Sequence, residues 1–87
     1  MPRITADERA RFHARLDECI DKMNTERNIS KPHWSIQFNE QLFDHLMREV
    51  IELHEGIVLG DKSNINDKCK DVVNLAMMIF DNTRGNK

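Results

Sequence analysis

Val72-Val73-Asn74-Leu75-Ala76-Met77-Met78-Ile79-Phe80 is apolar at every position except Asn74. A helix that is hydrophobic on every side must be buried on every side. Two partner helices drawn from an 87-residue chain cannot easily enclose it. A second subunit is therefore expected to cover the remainder, through a two-fold helical-bundle interface. The alternative is that only part of the run is deeply buried and the rest is ordinary exposed apolar surface.

Upstream of this run, the helix is expected to start near Asn64, with Asp67 three positions on as a capping partner. Gly60-Asp61 reads as the end of the preceding helix. That second helix is expected to begin at Asn39 as N-cap, with Phe38 and Phe43 placed as a hydrophobic staple. Leu42, Leu46, Val50, Leu53 and Ile57 form its expected core stripe, widened by Phe43, Met47 and Ile51. Pro32 breaks the chain before it, since proline disfavours helical geometry at Lys31 and removes a donor. A first helix opens at Thr5-Ala6-Asp7-Glu8, a capping box. It carries Phe12, Leu16, Cys19, Ile20 and Met23 as an apolar stripe that fades near Arg27. The expectation is an all-α fold: a three-helix chain, one domain over residues 1–87, assembling into a helical bundle through dimerisation.

Composition narrows the function classes. Thirteen Lys+Arg against fifteen Asp+Glu give a net charge of -2, which argues against a nucleic-acid partner. No apolar run approaches the ~20 residues needed to cross a bilayer. Met1-Pro2-Arg3-Ile4-Thr5 leads into charged residues, so no signal peptide is expected. Two cysteines, Cys19 and Cys69, are too few for a disulfide framework, which leaves a cytoplasmic location as the expectation.

Several chemistries are excluded by motif. His54-Glu55-Gly56-Ile57-Val58 begins like a zinc-protease helix but has Val58 where the second His is needed. No Glu-x-x-His pair, glycine-rich phosphate loop or Gly-x-Ser-x-Gly elbow occurs.

What remains is acidic and helical. Glu49 and Glu52, three apart, project about 60° from each other along one strip of the second helix, and His45 and Gly56 share that strip. On the third helix Asp71 and Asn74 are also three apart, with Asp67 on the same side. Antiparallel packing through the short Gly60–Ser63 connection lets both strips face each other. Two to four hard oxygen donors on facing helices suit Mg²⁺, which keeps waters and shares phosphate oxygens. The competing reading of Glu49 and Glu52 is a solvated face that merely keeps the helix soluble. Asn74 among eight apolar residues needs a partner, because an unpaired buried amide costs about 1–3 kcal/mol. An interhelical hydrogen bond and a functional contact both satisfy that need.

The segments Arg48-Glu49-Val50-Ile51-Glu52-Leu53-His54-Glu55-Gly56-Ile57, Gly60-Asp61 and Lys68-Cys69-Lys70-Asp71-Val72-Val73-Asn74-Leu75-Ala76-Met77-Met78-Ile79 together resemble the MazG-like all-α nucleoside triphosphate pyrophosphohydrolases. Lys31-Pro32-His33-Trp34 resembles the family's segment before the long helix, and the similarity covers residues 24–82. The resemblance implies a Mg²⁺-dependent (or Mn²⁺-dependent) hydrolase that splits a nucleoside triphosphate between its α and β phosphates. The all-round apolar run of the third helix adds the expectation of a homodimer or higher homo-oligomer. In that family a Glu-x-x-Glu and a Glu-x-x-Asp motif on adjacent helices hold the metal. The resemblance thus implies Glu49, Glu52 and Asp71 as catalytic metal ligands, with Asn74 a nearby polar contact to substrate.

The chain departs from the family pattern at Lys68, where the family has Glu. Two unit positive charges ~4 Å apart repel by ~4 kcal/mol at an effective dielectric near 20, and a divalent ion doubles that figure. Three readings follow. Asp67 replaces the lost carboxylate as a metal ligand; or Lys68 contacts phosphate directly; or the site is degenerate and the chain is a nucleotide-binding or dimerisation module without turnover. Trp34 is a candidate for stacking on a base, or for closing a bundle end. Lys31 is a candidate phosphate contact, and His45 a candidate ligand or proton relay.

Overall fold

The computed structural model describes residues 3–85, apart from the side chains of Glu26 and Arg27. Those residues are helical with no strand: α1 (Ala6–Met23), a single turn α2 (Glu26–Ile29), a 3-10 turn (Trp34–Ile36), α3 (Asn39–Leu59) and α4 (Lys62–Arg84). The three long helices agree with the all-α expectation. None of the helices among the described residues is long and apolar enough to cross a membrane.

α1 begins as its sequence predicts. Glu8 N donates to Thr5 Oγ1 at 3.1 Å and Thr5 N donates to Glu8 Oε1 at 2.9 Å, closing the capping box. Beyond its end, the stretch leading to Pro32 contains more order than proline alone suggested. Asn28 Nδ2 donates to the Lys22 carbonyl oxygen at 2.8 Å, and α2 winds one helical turn before Pro32.

Both expected starts of the long helices shift. Phe38, not Asn39, is the N-cap of α3, and its backbone N–H is satisfied by Gln41 Oε1 at 3.1 Å. The shift removes the staple: Phe38 and Phe43 are 71% and 52% exposed. Asn39 instead accepts from Asn82 Nδ2 at 3.0 Å. α4 starts at Lys62 rather than Asn64, capped by Asp61, whose Oδ1 accepts from Asn64 N at 3.1 Å. A carboxylate at a helix N-terminus meets both its free donors and its dipole, so Asp67 is not needed there.

Gly60 ends α3 at φ 68°, where a side chain would be strained, and Asp61 N donates back to the Gly56 carbonyl oxygen at 3.0 Å. The chain then reverses. Contacts run from Gly56 with Asn64, through Glu52 with Lys68, to Asn39 with Asn82. Residue numbers fall on α3 as they rise on α4, which makes the pair an antiparallel hairpin. α1 lies against the other side of α4, through Lys22 with Asp71 and Cys19 with Asn74. α4 is thus the central helix.

The face by which α3 packs overlaps only part of its expected apolar stripe. Leu42, Glu49 and Gly56, spaced by sevens, are the buried residues of α3, while Val50, Ile57, Phe43, Met47 and Ile51 are exposed. The packed face is thus shared: Leu42, with half-buried Leu46 and Leu53, comes from the expected stripe and Glu49 from the acidic strip, while Val50 and Ile57 turn outward. Gly56 permits the close approach, since a Cβ there would lie 2.8 Å from Asn64 Nδ2. Leu42, 2% exposed, contributes about 1.5–3 kcal/mol by its burial. In α4 only Asn74, Leu75 and Asn82 are buried; Val73, Met77 and Phe80 are exposed in the single chain.

Candidate functional site

Because the packed face of α3 takes in Glu49, the carboxylates of its acidic strip meet the polar face of the second half of the hairpin. Glu49 and Glu52 come from successive turns of α3; Asp67, Lys68 and Asp71 come from successive turns of α4. Lys68 Nζ stands among the first group. It lies 2.7 Å from Glu52 Oε2, 3.2 Å from Glu49 Oε2 and 3.9 Å from Asp71 Oδ2. A second ammonium arrives from the last turn of α1: Lys22 Nζ lies 2.6 Å from Asp71 Oδ1 and 2.7 Å from Asp67 Oδ1, and donates to the Asp67 carbonyl oxygen at 3.3 Å. Asp71 thus bridges the two lysines. His45, one turn before Glu49, places Nε2 3.3 Å from Glu49 Oε1.

The charges tune one another. Lys68 holds Glu52 below its ordinary 4.5, by hydrogen bond and by Coulomb attraction. Lys22 does the same to Asp67, below 3.8. Glu52 and Glu49 raise Lys68 above its ordinary 10.5 against the opposing effect of burial. Burial pulls Lys22 down, but Asp67 and Asp71 outweigh it and leave it raised. Both lysines are accordingly fixed as cations near neutral pH.

Glu49 is the deepest member, 8% exposed. Its Oε2 is sealed from solvent and receives no well-aligned hydrogen bond, although Lys68 is near it. An ammonium neutralises that oxygen without satisfying it. Glu49 Oε2, Glu52 Oε2 and Asp71 Oδ2 thus converge from two helices on Lys68 Nζ. As the side chains stand, no three His, Cys, Asp or Glu groups among the described residues are arranged to hold a metal ion. Lys68, with only a fifth of its side chain exposed, fills the point on which these carboxylates converge and supplies their counter-charge.

Among the residues singled out from sequence, Glu49, Glu52, Lys68 and Asp71 come together, and Asp67 joins them through Lys22. Asn74 follows Asp71 by one turn but is buried, and its Nδ2 donates to the Cys19 carbonyl oxygen at 2.8 Å. Of the two partners left open for it, this is the interhelical one. Trp34 is tied to the far end of α4: its Nε1 donates to Asp81 Oδ2 at 2.9 Å, its carbonyl oxygen accepts from Asn82 Nδ2, and His33 stacks on it at 3.8 Å. Asp81 is ten residues beyond Asp71, about 15 Å along the helix. Lys31 lies exposed in the same connection. Neither Trp34 nor Lys31 joins the acidic cluster.

Lys22 is the member that sequence reasoning missed. Its signal was weak but present, because it follows Cys19 by three residues and so shares the packed side of α1. No family model matches this chain, and no curated protein or solved structure matches it either.

Proposed function

We propose that the chain is a Mg²⁺-dependent nucleoside triphosphate pyrophosphohydrolase of the MazG-like type, Mn²⁺ serving in place of Mg²⁺, which cleaves between the α and β phosphates to give a nucleoside monophosphate and pyrophosphate. The observation that supports this reading is that Glu49, Glu52 and Asp71, from α3 and α4, converge on the single ammonium of Lys68. These three would hold the ion, with Asp67 the fourth carboxylate at the same end of the hairpin. Bound there, a divalent ion would neutralise phosphate oxygens and lower the pKa of an attacking water.

The chain's own residues do the positioning. His45 fixes one oxygen of Glu49, leaving the other directed at Lys68. Lys22 clamps Asp71 and Asp67 from outside the cluster and sets their rotamers. Asn74 holds α1 against α4, so that Lys22 arrives at the right height. Such preorganised charge carries most of the catalytic work in phosphate chemistry.

The test is pyrophosphate release from a panel of ribo- and deoxyribonucleoside triphosphates with Mg²⁺ or Mn²⁺. Metal-dependent release that is lost in Glu52→Gln supports the hydrolase. No release from any member of the panel overturns it and leaves the second reading, a degenerate nucleotide-binding or dimerisation module, which the position of Lys68 among the carboxylates favours.

The assembly proposed with it is a homodimer. Phe43, Met47, Val50 and Ile57 lie exposed along one side of α3, more apolar helix surface than a lone chain needs to show. A second copy laid on that side would bury it. Sedimentation equilibrium gives the mass: a dimer supports the assembly, and a monomer at micromolar concentration rejects it. A nucleotide substrate and two free thiols, Cys19 and Cys69, fit a cytoplasmic setting.

A further inference from the structure

Glu52 of α3 and Asp71 of α4 mark one side of the hairpin, the side on which both approach Lys68 and on which Lys22 of α1 reaches Asp71. At about 100° per residue, the other side of each helix follows from these two positions. On α3 it carries Phe43, Met47 and Val50, and on α4 Val73, Ala76 and Phe80, all exposed. Both series advance by steps of three and four, the spacing of a helical-bundle seam. The two strips therefore form one apolar face, turned away from α1 and from the carboxylates.

Little of the chain's apolar surface is covered from within. Among the described residues only Cys19, Leu42 and Leu75 are buried apolar side chains, while sixteen large ones stand exposed. So small a core does not offset the conformational entropy lost in ordering a chain of this length. The chain shows 7023 Å² to solvent, where a compact monomer of 10.3 kDa shows about 5,350 Å². The excess, roughly 1,700 Å², falls within the roughly 1,000–2,500 Å² that each subunit of an obligate dimer buries.

The borders of the face identify what covers it. The edge of α3 away from α4 carries Glu40, Asp44 and Glu55, and the edge of α4 away from α3 carries Lys62, Lys70 and Arg84. A second copy related by a two-fold axis along the helices lays its α4 over this α3. Each acidic edge then meets a basic one. The axis preserves height, and Glu55 and Lys62 both lie near the Gly60 turn, so they arrive side by side.

We infer that the chain is an obligate dimer: the apolar face of its hairpin closes on the same face of a second copy, each α3 over the other's α4. The four helices complete one core, with α1 and the carboxylate cluster on the outside. The inference rests on the homodimer reading above. It adds α4 to the interface, fixes the orientation, and makes folding depend on association.

The full chain is melted by circular dichroism at about 1 and about 100 µM, and the midpoint is expected to be about 5–10 °C lower in the dilute sample, because unfolding then includes dissociation. Sedimentation equilibrium gives the mass. Val50→Glu and Val73→Glu, one on each helix, are each expected to abolish the dimer and the fold together. Phe12→Glu, exposed on α1 and off the face, changes neither mass nor midpoint. Glu55→Lys lowers the midpoint at fixed concentration, and adding Lys62→Glu recovers it; no recovery overturns the orientation of α3 over α4. A wild-type midpoint that does not move with concentration overturns the obligate dimer. A dimer broken by Val50→Glu but not by Val73→Glu also overturns the inference, and leaves the homodimer reading standing on α3 alone. A folded wild-type monomer overturns both and leaves the face to a different protein.

Discussion

Asn74 Nδ2 on α4 donates to the carbonyl oxygen of Cys19 on α1 at 2.8 Å, and both residues are buried. The bond sits between two otherwise apolar surfaces, where a polar side chain is tolerated only when it is paired. It also fixes the register of α1 on α4, one turn away from the place where Lys22 must reach Asp71. Asn74→Ala is expected to destabilise the chain by about 1–2 kcal/mol, through loss of this bond and a small void. Chemical denaturation followed by circular dichroism measures it. Unchanged stability would show that the bond contributes nothing to holding α1.

Lys68 contributes to stability as well as to the site. Lys68→Met leaves Glu49 buried without its nearest cation, and the expected loss is about 1–3 kcal/mol at neutral pH in a chelating buffer. Divalent cation should then rescue the variant more than the wild type. A ligand at a hundredfold excess over its dissociation constant returns about 2.7 kcal/mol. Thermal melts of both proteins with EDTA and with Mg²⁺ give the comparison, and equal shifts in the two would count against a cation site at these carboxylates.

Gly56 is buried against the start of α4, one turn from Glu52. A methyl group there would meet Asn64 Nδ2 at 2.8 Å and Ile65 Cγ1 at 3.4 Å. Asn64 is a mobile side-chain end whose bond to the Glu52 carbonyl oxygen is long, 3.4 Å, so it can turn away at small cost. Alanine also gains about 0.5–1 kcal/mol of helix propensity over glycine. Gly56→Ala is expected to fall within about 1 kcal/mol of wild type. Gly56→Leu has no such escape and should cost about 1–3 kcal/mol by overpacking, together with loss of the Lys68–Glu52 contact, which heteronuclear NMR of the lysine ammonium can follow.

These residues also show how far the sequence could be read. The Thr5–Glu8 box and the Gly60 stop depend on local backbone chemistry, and both stand as their residues predict. That Glu49 and Glu52 would face the Asp71 side of the next helix was legible, because i, i+3 spacing on two helices joined by a tight turn leaves few ways to arrange them; that Lys68 would stand between them was not. Nor was the packed face of α3. Amphipathicity centres the packed face on the apolar stripe, and Leu42, Leu46 and Leu53 do face inward, but the face is rotated to take in Glu49 and Gly56 and to leave Val50 and Ile57 outside. No periodicity argument distinguishes a stripe reserved for another surface from one used in the hairpin. The start of α3 moved for a similar reason. Asn39 is an excellent cap in isolation, but its side chain is used by Asn82, 43 residues away. Lys22 carried only the weak signal of its spacing from Cys19, and using it required knowing that α1 would lie on the Asp71 side of α4.

The ion network gives the fold a defined pH window. Glu52 and Asp67 have folded-state values below their ordinary 4.5 and 3.8, so their contribution is complete above those figures and is lost as pH falls through the depressed values. Lys22 and Lys68 are raised above 10.5, so their contribution is complete below that pH and is lost as pH climbs through the elevated values. Glu8, lowered by Thr5, and Glu18, lowered by Arg15, add to the acid side without touching the cluster. Wild-type stability should therefore be level from about pH 5 to 10 as far as these groups determine it, falling on both sides. Lys68→Met removes one cation from the network, so it should show a shallower acid limb and a smaller alkaline loss, while the part of the acid limb due to Glu8 and Glu18 persists. Thermal melts from pH 2.5 to 11 on both proteins separate the two contributions. Superimposable acid limbs would mean that Lys68 does not hold Glu52 in its charged form, and the cluster would then have to be regarded as a set of independently solvated carboxylates.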